Sequence, residues 1–265
     1  MDSRILLSIS TYKKNESLRS TLLQASLNLL GPISGIHIAD ADDGSAEEVY
    51  LEFKNQELPF SLHYATEKDS FIFNTKNMGI EFFLEQTSCP FLILSDDDNI
   101  FMSYNRPLLG RVNINEALLE AHVNTQSHHL LTYPEDYRDP LTQEDYFTKF
   151  PIISATPWTK SCAGAQGHYM FYSRLAVESA GYFNAFPGRY GGEHAEYSAR
   201  INTLSGQCPT FFTYLDNCHR YIRDGDTKNN YQVNQKELDK NMSFYYKRLE
   251  EIYSGKNLTT RRRPR

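Results

Sequence analysis

Phe91-Leu92-Ile93-Leu94-Ser95-Asp96-Asp97-Asp98 is an apolar run that ends in three consecutive carboxylates. Four apolar residues in succession suit a strand buried on both faces, as in a parallel sheet. Like charges this close raise one another's pKa unless a cation neutralises them. Carboxylate oxygens are the natural ligands of Mg²⁺ or Mn²⁺, which can bridge the phosphates of a nucleotide. The Asp-x-Asp spacing of Asp96 and Asp98 can set one carboxylate toward a ribose and the other on the metal.

Working outward, Ile36-His37-Ile38-Ala39 reads as a second strand that also ends in acid, at Asp40-Ala41-Asp42-Asp43-Gly44-Ser45. Ile5 to Ser10 reads as the first strand. After it, Asn15 can cap a helix in which Leu18, Leu22, Ala25 and Leu29 recur at helical spacing. Leu62-His63-Tyr64 gives a third strand, and a short helix is expected after Gly79. Alternation of this kind predicts a mostly parallel, doubly wound sheet. Ligands in such sheets lie at the carboxyl ends of the strands, so the clusters at 40–43 and 96–98 should open on one crevice.

From Ser103 to Gly167 the pattern blurs, apart from a helix around Leu118-Leu119. Trp158 reads equally as a core anchor or a sugar-stacking face. Order returns with a strand at Tyr169-Met170-Phe171-Tyr172, a helix near Leu175 to Ala180 and another after Gly191-Gly192. A strand at Thr210 to Leu215 and a helical stripe of Leu238, Met242, Tyr245, Leu249 and Ile252 follow. With no repeat in 265 residues, one domain is expected over 1–255. It divides into a nucleotide-binding half (1–102), an acceptor-side half (103–230) and a C-terminal helix (231–255). The basic end at 256–265 reads as a disordered tail.

A net charge of −6 argues against a broad nucleic-acid footprint. Cys89, Cys162, Cys208 and Cys218 form no CxxC pair, as expected of reduced thiols in a cytoplasmic protein. The run Ile5 to Ile9 is too short to span a membrane, so no integral membrane segment is expected.

The ordered set Ser8-Ile9-Ser10-Thr11-Tyr12, Asp42-Asp43-Gly44-Ser45, Lys76-Asn77-Met78-Gly79 and Leu94-Ser95-Asp96-Asp97-Asp98 resembles the family 2 glycosyltransferases over about the first hundred residues. The resemblance implies a GT-A (Rossmann-like) α/β fold, with a mostly parallel central sheet flanked by helices. It also implies a nucleotide-sugar donor, with a UDP-sugar favoured, and Mn²⁺ or Mg²⁺. It assigns Thr11, Tyr12, Asp42, Asp43, Lys76, Asn77, Gly79, Asp96 and Asp97 to the donor, and Asp96 and Asp98 to the metal.

Tyr190-Gly191-Gly192-Glu193-His194-Ala195-Glu196 is similar to the Gly-Gly-Glu segments of β-1,4-galactosyltransferases and polypeptide N-acetylgalactosaminyltransferases. Those segments line the acceptor side. In inverting enzymes an Asp after the Glu commonly takes the acceptor proton, and His194 stands there in this chain. Glu193, His194 and Glu196 are therefore the candidate bases, and inversion is the favoured outcome. Many GT-A enzymes use a late His as a metal ligand, which His219 resembles, and Arg220 or Arg223 could reach the diphosphate. Gly164-Ala165-Gln166-Gly167-His168 resembles the small-residue loop between donor and acceptor. The acceptor could be a glycan, a lipid-linked sugar, a protein or a modified nucleic acid. A non-catalytic sugar-binding module is one alternative. A nucleotidyltransferase is another, though the stretch after the first strand lacks the glycines of a phosphate loop.

Overall fold

The computed structural model describes residues 3–42, 44–68, 71–106, 110–133, 150–165, 167–188, 191–224 and 235–264. The first part alternates strand and helix: β1 (Ile5–Thr11), α1 (Asn15–Ser26), β2 (Gly35–Asp40), α2 (Glu47–Lys54), β3 (Ser61–Thr66), α3 (Ile72–Gln86) and β4 (Phe91–Asp96). Three short strands follow, β5 (Asn99–Phe101), β6 (Tyr104–Arg106) and β7 (Gly110–Val112), and then α4 (Ile114–Thr125) and β8 (His129–Leu130). The rest comprises β9 (Ile152–Ala155), β10 (Thr159–Cys162), β11 (Tyr169–Ser173), α5 (Arg174–Ala180), α6 (Glu193–Leu204) and β12 (Phe212–Leu215). A 3-10 turn (Cys218–Arg220), β13 (Ile222–Asp224) and α7 (Gln235–Tyr253) complete it.

The central sheet has the order β3-β2-β1-β4-β11-β8. β1 pairs in parallel with both β2 and β4, β2 pairs in parallel with β3, and β11 runs antiparallel to β4. Both faces are covered, so its inner strands alternate between two apolar layers rather than between core and water. Ile5, Leu7, Ile9 and Ile93 pack on the face that carries Leu18, Leu22 and Leu118, while Leu6, Leu92 and Leu94 pack on the face of Ile80, Phe83 and Val177. The sheet order reverses between β1 and β4, which is where an open α/β sheet leaves its crevice. Register opposes Thr11 to Asp40 and Ser10 to Asp96, so the acidic strand ends emerge side by side.

Four local readings change. Asn15 does not cap α1: the cap position is Lys14, and the Asn15 amide donates to the Ser45 carbonyl at 2.8 Å, tying α1 to the loop after β2. Gly79 does not precede a helix but lies within α3, because the helix presses on β1. A Cβ there would stand 2.2 Å from Ser8 Oγ. The patternless 103–167 stretch contributes β9 and β10, a local antiparallel pair that β12, remote in sequence, extends to a three-stranded sheet. Trp158 packs against the core, its ring N–H 3.4 Å from Glu120 Oε1.

The basic end is not a loose tail up to its last described residue. The Thr260 N–H donates to the Ala180 carbonyl and its carbonyl accepts from Tyr182, both at 2.9 Å. Gly181 permits this approach: its φ is +72°, and a Cβ would lie 2.1 Å from the Thr260 oxygen. Arg263 then pairs with Glu81 at 3.0 Å and with Glu67. Among the described residues no helix is long and apolar enough to cross a membrane.

Candidate active site

The loop after β2 is built around Asp40, which is fully buried. Its carboxylate accepts from the Asp42 N–H, the Ala46 N–H and the Tyr64 hydroxyl, each at 2.9 Å. Burial, together with that bond to Asp40, raises the Tyr64 pKa well above the phenol range, so the hydroxyl stays a donor. Asp40 is thus the scaffold of the turn, while Asp42 is partly exposed with Lys13 Nζ at 3.9 Å. Asp43 lies outside the described residues. Tyr12, at the end of β1, is exposed, and Lys13 Nζ sits 5.0 Å from its ring centroid.

The three consecutive acids take three different environments. Asp97 is 4% exposed and accepts a 2.6 Å hydrogen bond from the Thr11 hydroxyl. Burial pushes its carboxyl up to about 7, against the pull of Thr11 and Lys14 and with some help from Asp98 and Asp96. Thr11 and Asp97 therefore bond to each other under the crevice. Asp98 accepts from Lys14 Nζ at 3.0 Å. Asp96 turns toward Lys76 Nζ at 3.7 Å, and its buried Oδ1 has no hydrogen-bond partner.

Glu193 and His194 come from 97 residues further along the chain than Asp96. Gly191 and Gly192 have φ of +101° and +85°, a region that side-chain-bearing residues avoid, and they turn the chain into the first residues of α6. Glu193 is 1% exposed. His194 Nδ1 lies 3.0 Å and Lys76 Nζ 3.9 Å from Glu193 Oε1. Burial works against charge on Glu193, but His194, Lys76 and the backbone amides of Glu193 and Gly191 outweigh it and hold the pKa below the usual value. Burial, with Lys76 acting in the same direction, lowers His194 despite Glu193 and Asp96.

Other expected site residues are committed elsewhere. Asn77 donates to the Phe183 carbonyl at 3.0 Å and accepts from the Phe183 N–H at 2.7 Å, so its amide clamps α3 rather than facing a nucleotide. Gly79 serves the contact of α3 with β1. Glu196 is completely buried and accepts from Asn184, Arg200 and Arg248. Its oxygens are thus engaged by one amide and two guanidinium groups.

The late histidine also sits apart from the acidic turn. β13 runs antiparallel to β5, opposing Asp224 to Asn99 and Ile222 to Phe101, so the chain before Ile222 leads away from Asp98. Met102 N–H donates to the Tyr221 carbonyl, and Arg220 bonds to the Tyr104 hydroxyl at 2.7 Å, which places the His219–Arg220 turn beside residues 102–104. Arg223 opposes Ile100. Asp96, Asp98 and His219 do not form a three-ligand cluster, and no such cluster occurs among the described residues. A cation that takes only one or two carboxylates plus donor phosphates still suits Asp96 and Asp98. The unpartnered Asp96 Oδ1 is consistent with that fit.

His168, the last residue of the small-residue stretch, belongs to this neighbourhood through its backbone. Its carbonyl accepts from the Asp96 N–H at 3.3 Å and the Asn99 amide at 3.2 Å, fixing the acidic turn against β11. Its only signal in sequence was the small-residue stretch ahead of a strand. Asp40 was visible as part of the acidic run, but nothing local distinguished it as the buried member.

The fold is a mixed α/β one of the GT-A kind, a mostly parallel central sheet flanked by helices whose order reverses between β1 and β4. Two structures of S. aureus TarS residues 1–349 share the fold. The complex with UDP-GlcNAc matches at a TM-score of 0.56 and 12% identity, covering 95% of this chain and 66% of that one. The complex with UDP matches at a TM-score of 0.50 and 12% identity, covering 83% and 60%. A curated relative, the "Uncharacterized glycosyltransferase R363" of Acanthamoeba polyphaga mimivirus, is 25% identical over 154 residues. That match spans 57% of this chain and 56% of the relative, so it reaches only a little over half of that protein's length. No protein-family model matches the chain.

Proposed function

We propose that this chain is a glycosyltransferase that moves a sugar from a UDP-sugar to an acceptor hydroxyl, with inversion. The observation that carries the reading is the meeting of the donor-side acid Asp96 with the acceptor-side pair Glu193 and His194 around Lys76. The named activity of the mimivirus relative and the nucleotides bound by TarS support it.

In this mechanism the donor diphosphate lies over the turn at Asp96–Asp98. Mn²⁺ or Mg²⁺ held there by Asp96 and Asp98 would neutralise charge on the leaving diphosphate. The acceptor oxygen attacks the anomeric carbon from the face opposite the diphosphate. The bond from that carbon to the phosphate oxygen breaks, its electron pair leaves with UDP, and Glu193 takes the hydroxyl proton. Glu193 suits this work because its charge is held by His194, Lys76 and backbone amides. A second assignment within the same site has His194 taking the proton at Nε2 while Glu193 holds Nδ1, which their 3.0 Å contact favours.

The test is titration with UDP-N-acetylglucosamine and Mn²⁺, followed by proton NMR of the sugar released or transferred. Binding and an inverted anomeric signal are expected. A retained anomer would overturn the single-displacement mechanism, and the absence of both binding and UDP release would overturn the transferase reading.

A further inference from the structure

Lys76 has no exposed surface, although it carries a charge. Burying an ammonium is costly unless acidic partners surround it. Here the partners come from two parts of the chain, Asp96 at the end of β4 and the adjacent Glu193 and His194 at the start of α6. Nζ lies 3.4 Å from His194 Nδ1, 3.7 Å from Asp96 Oδ1 and 3.9 Å from Glu193 Oε1. None of these is as short as a tight charge-assisted bond, typically about 2.7–2.9 Å. The ammonium stands between the groups rather than belonging to one of them.

The backbone beneath it is fixed from two sides. Asn77, the next residue, is clamped to Phe183 through both ends of its amide. Gly79 sits where no Cβ fits beside Ser8. α3 therefore cannot slide to bring Lys76 out to the crevice mouth. The same clamp ties α3 to Phe183, and Phe186 packs beside Gly192, where an added Cβ would stand 3.3 Å from its ring. Lys76 and Glu193 are thus set against each other by packing that involves no ligand. Among the described residues, Lys76 and His194 are the basic side chains within ion-pair distance of Glu193.

We infer that Lys76 is a positioning residue for the acceptor-side base, holding the Glu193 carboxylate against Asp96 at the donor end rather than binding the donor itself. This rests on the transferase reading. A base displaced by about 1 Å can lose a hundredfold in rate with its chemistry unchanged. The role therefore shows in turnover and not in donor affinity.

The experiment measures UDP release from UDP-N-acetylglucosamine at saturating donor, and UDP affinity by calorimetry. It compares wild type, Lys76→Met, Lys76→Arg, Glu193→Gln and the Met–Gln double variant. Lys76→Met should lower kcat by about 10- to 100-fold while the UDP Kd stays within about twofold. Lys76→Arg should recover part of that loss, and Lys76→Met should cost less than about twofold once Glu193 is already Gln. Should Lys76→Met not fold, Lys76→Arg carries the test: a lower kcat at unchanged Kd supports the role. A tenfold weaker UDP Kd with kcat preserved makes Lys76 a donor ligand, overturning the inference while the transferase reading stands. Independent, multiplicative losses from Lys76→Met and Glu193→Gln overturn it as well. A wild type that neither binds UDP nor releases it removes the transferase reading, and the positioning role with it.

Discussion

Glu193 and Glu196 both belong to the first turn of α6 and are both buried, yet substituting them should have opposite signatures. Glu196→Gln keeps the side-chain volume but removes the charge that two guanidinium groups share. Arg248 donates to Glu196 at 3.0 and 3.2 Å, Arg200 at 3.1 Å and Asn184 at 2.8 Å. A Gln can offer one carbonyl oxygen, and its NH₂ must face a donor. Breaking a buried ion pair typically costs about 3–5 kcal/mol, because the remaining charge is left uncompensated. For a domain of this size that is a fall of roughly 10 °C in Tm. Calorimetric or fluorescence melting should show that drop, while kcat per folded molecule stays within about threefold of wild type. A variant that melts within about 2 °C of wild type but loses about a hundredfold in turnover would make Glu196 the base and refute the assignment.

Asp98→Ala should abolish the extra stabilisation that UDP with Mn²⁺ gives over either alone, since Asp98 is a proposed cation ligand now paired with Lys14. An unchanged response removes Asp98 from any metal site. Burial, with a small push from His63, lowers His37 to about 4, so its folded pKa is depressed and its contribution is present above pH 6.5 and lost as pH falls toward 4. His37→Asn should flatten the dependence of stability on pH across that window by up to about 1.4 kcal/mol per pH unit, measured by urea unfolding; an unaltered slope contradicts it. Gly181→Ala should lower Tm and expose the C-terminal segment to limited proteolysis, because the new Cβ would strike the Thr260 carbonyl. Wild-type protease resistance in that variant would show that the segment docks otherwise.

What could be read in the sequence was local. β1, β2 and β4 announce themselves because strands buried on both faces read as unbroken apolar runs, and the acids at their ends follow from the sheet rule. Gly191 and Gly192 mark the turn before Glu193, as their positive φ requires. The roles that changed depend on partners far along the chain. Asn77 answers to Phe183, Gly79 to Ser8, and the Thr260 segment to Gly181. Glu196 resembled Glu193 in sequence, and Asn184, Arg200 and Arg248, the last on α7, make it a structural carboxylate. The register of β13 against β5 likewise sets His219 apart from Asp98, although both flank short strands.

The most direct measurement is the turnover of Glu193→Gln beside its affinity for UDP. A base acts in the transition state, so the account predicts that UDP release from UDP-N-acetylglucosamine slows by about a hundredfold to ten-thousandfold while the UDP Kd barely moves. Wild-type turnover in Glu193→Gln would contradict the account, because the site at Asp96, Lys76 and Glu193 would then not be where the sugar is transferred.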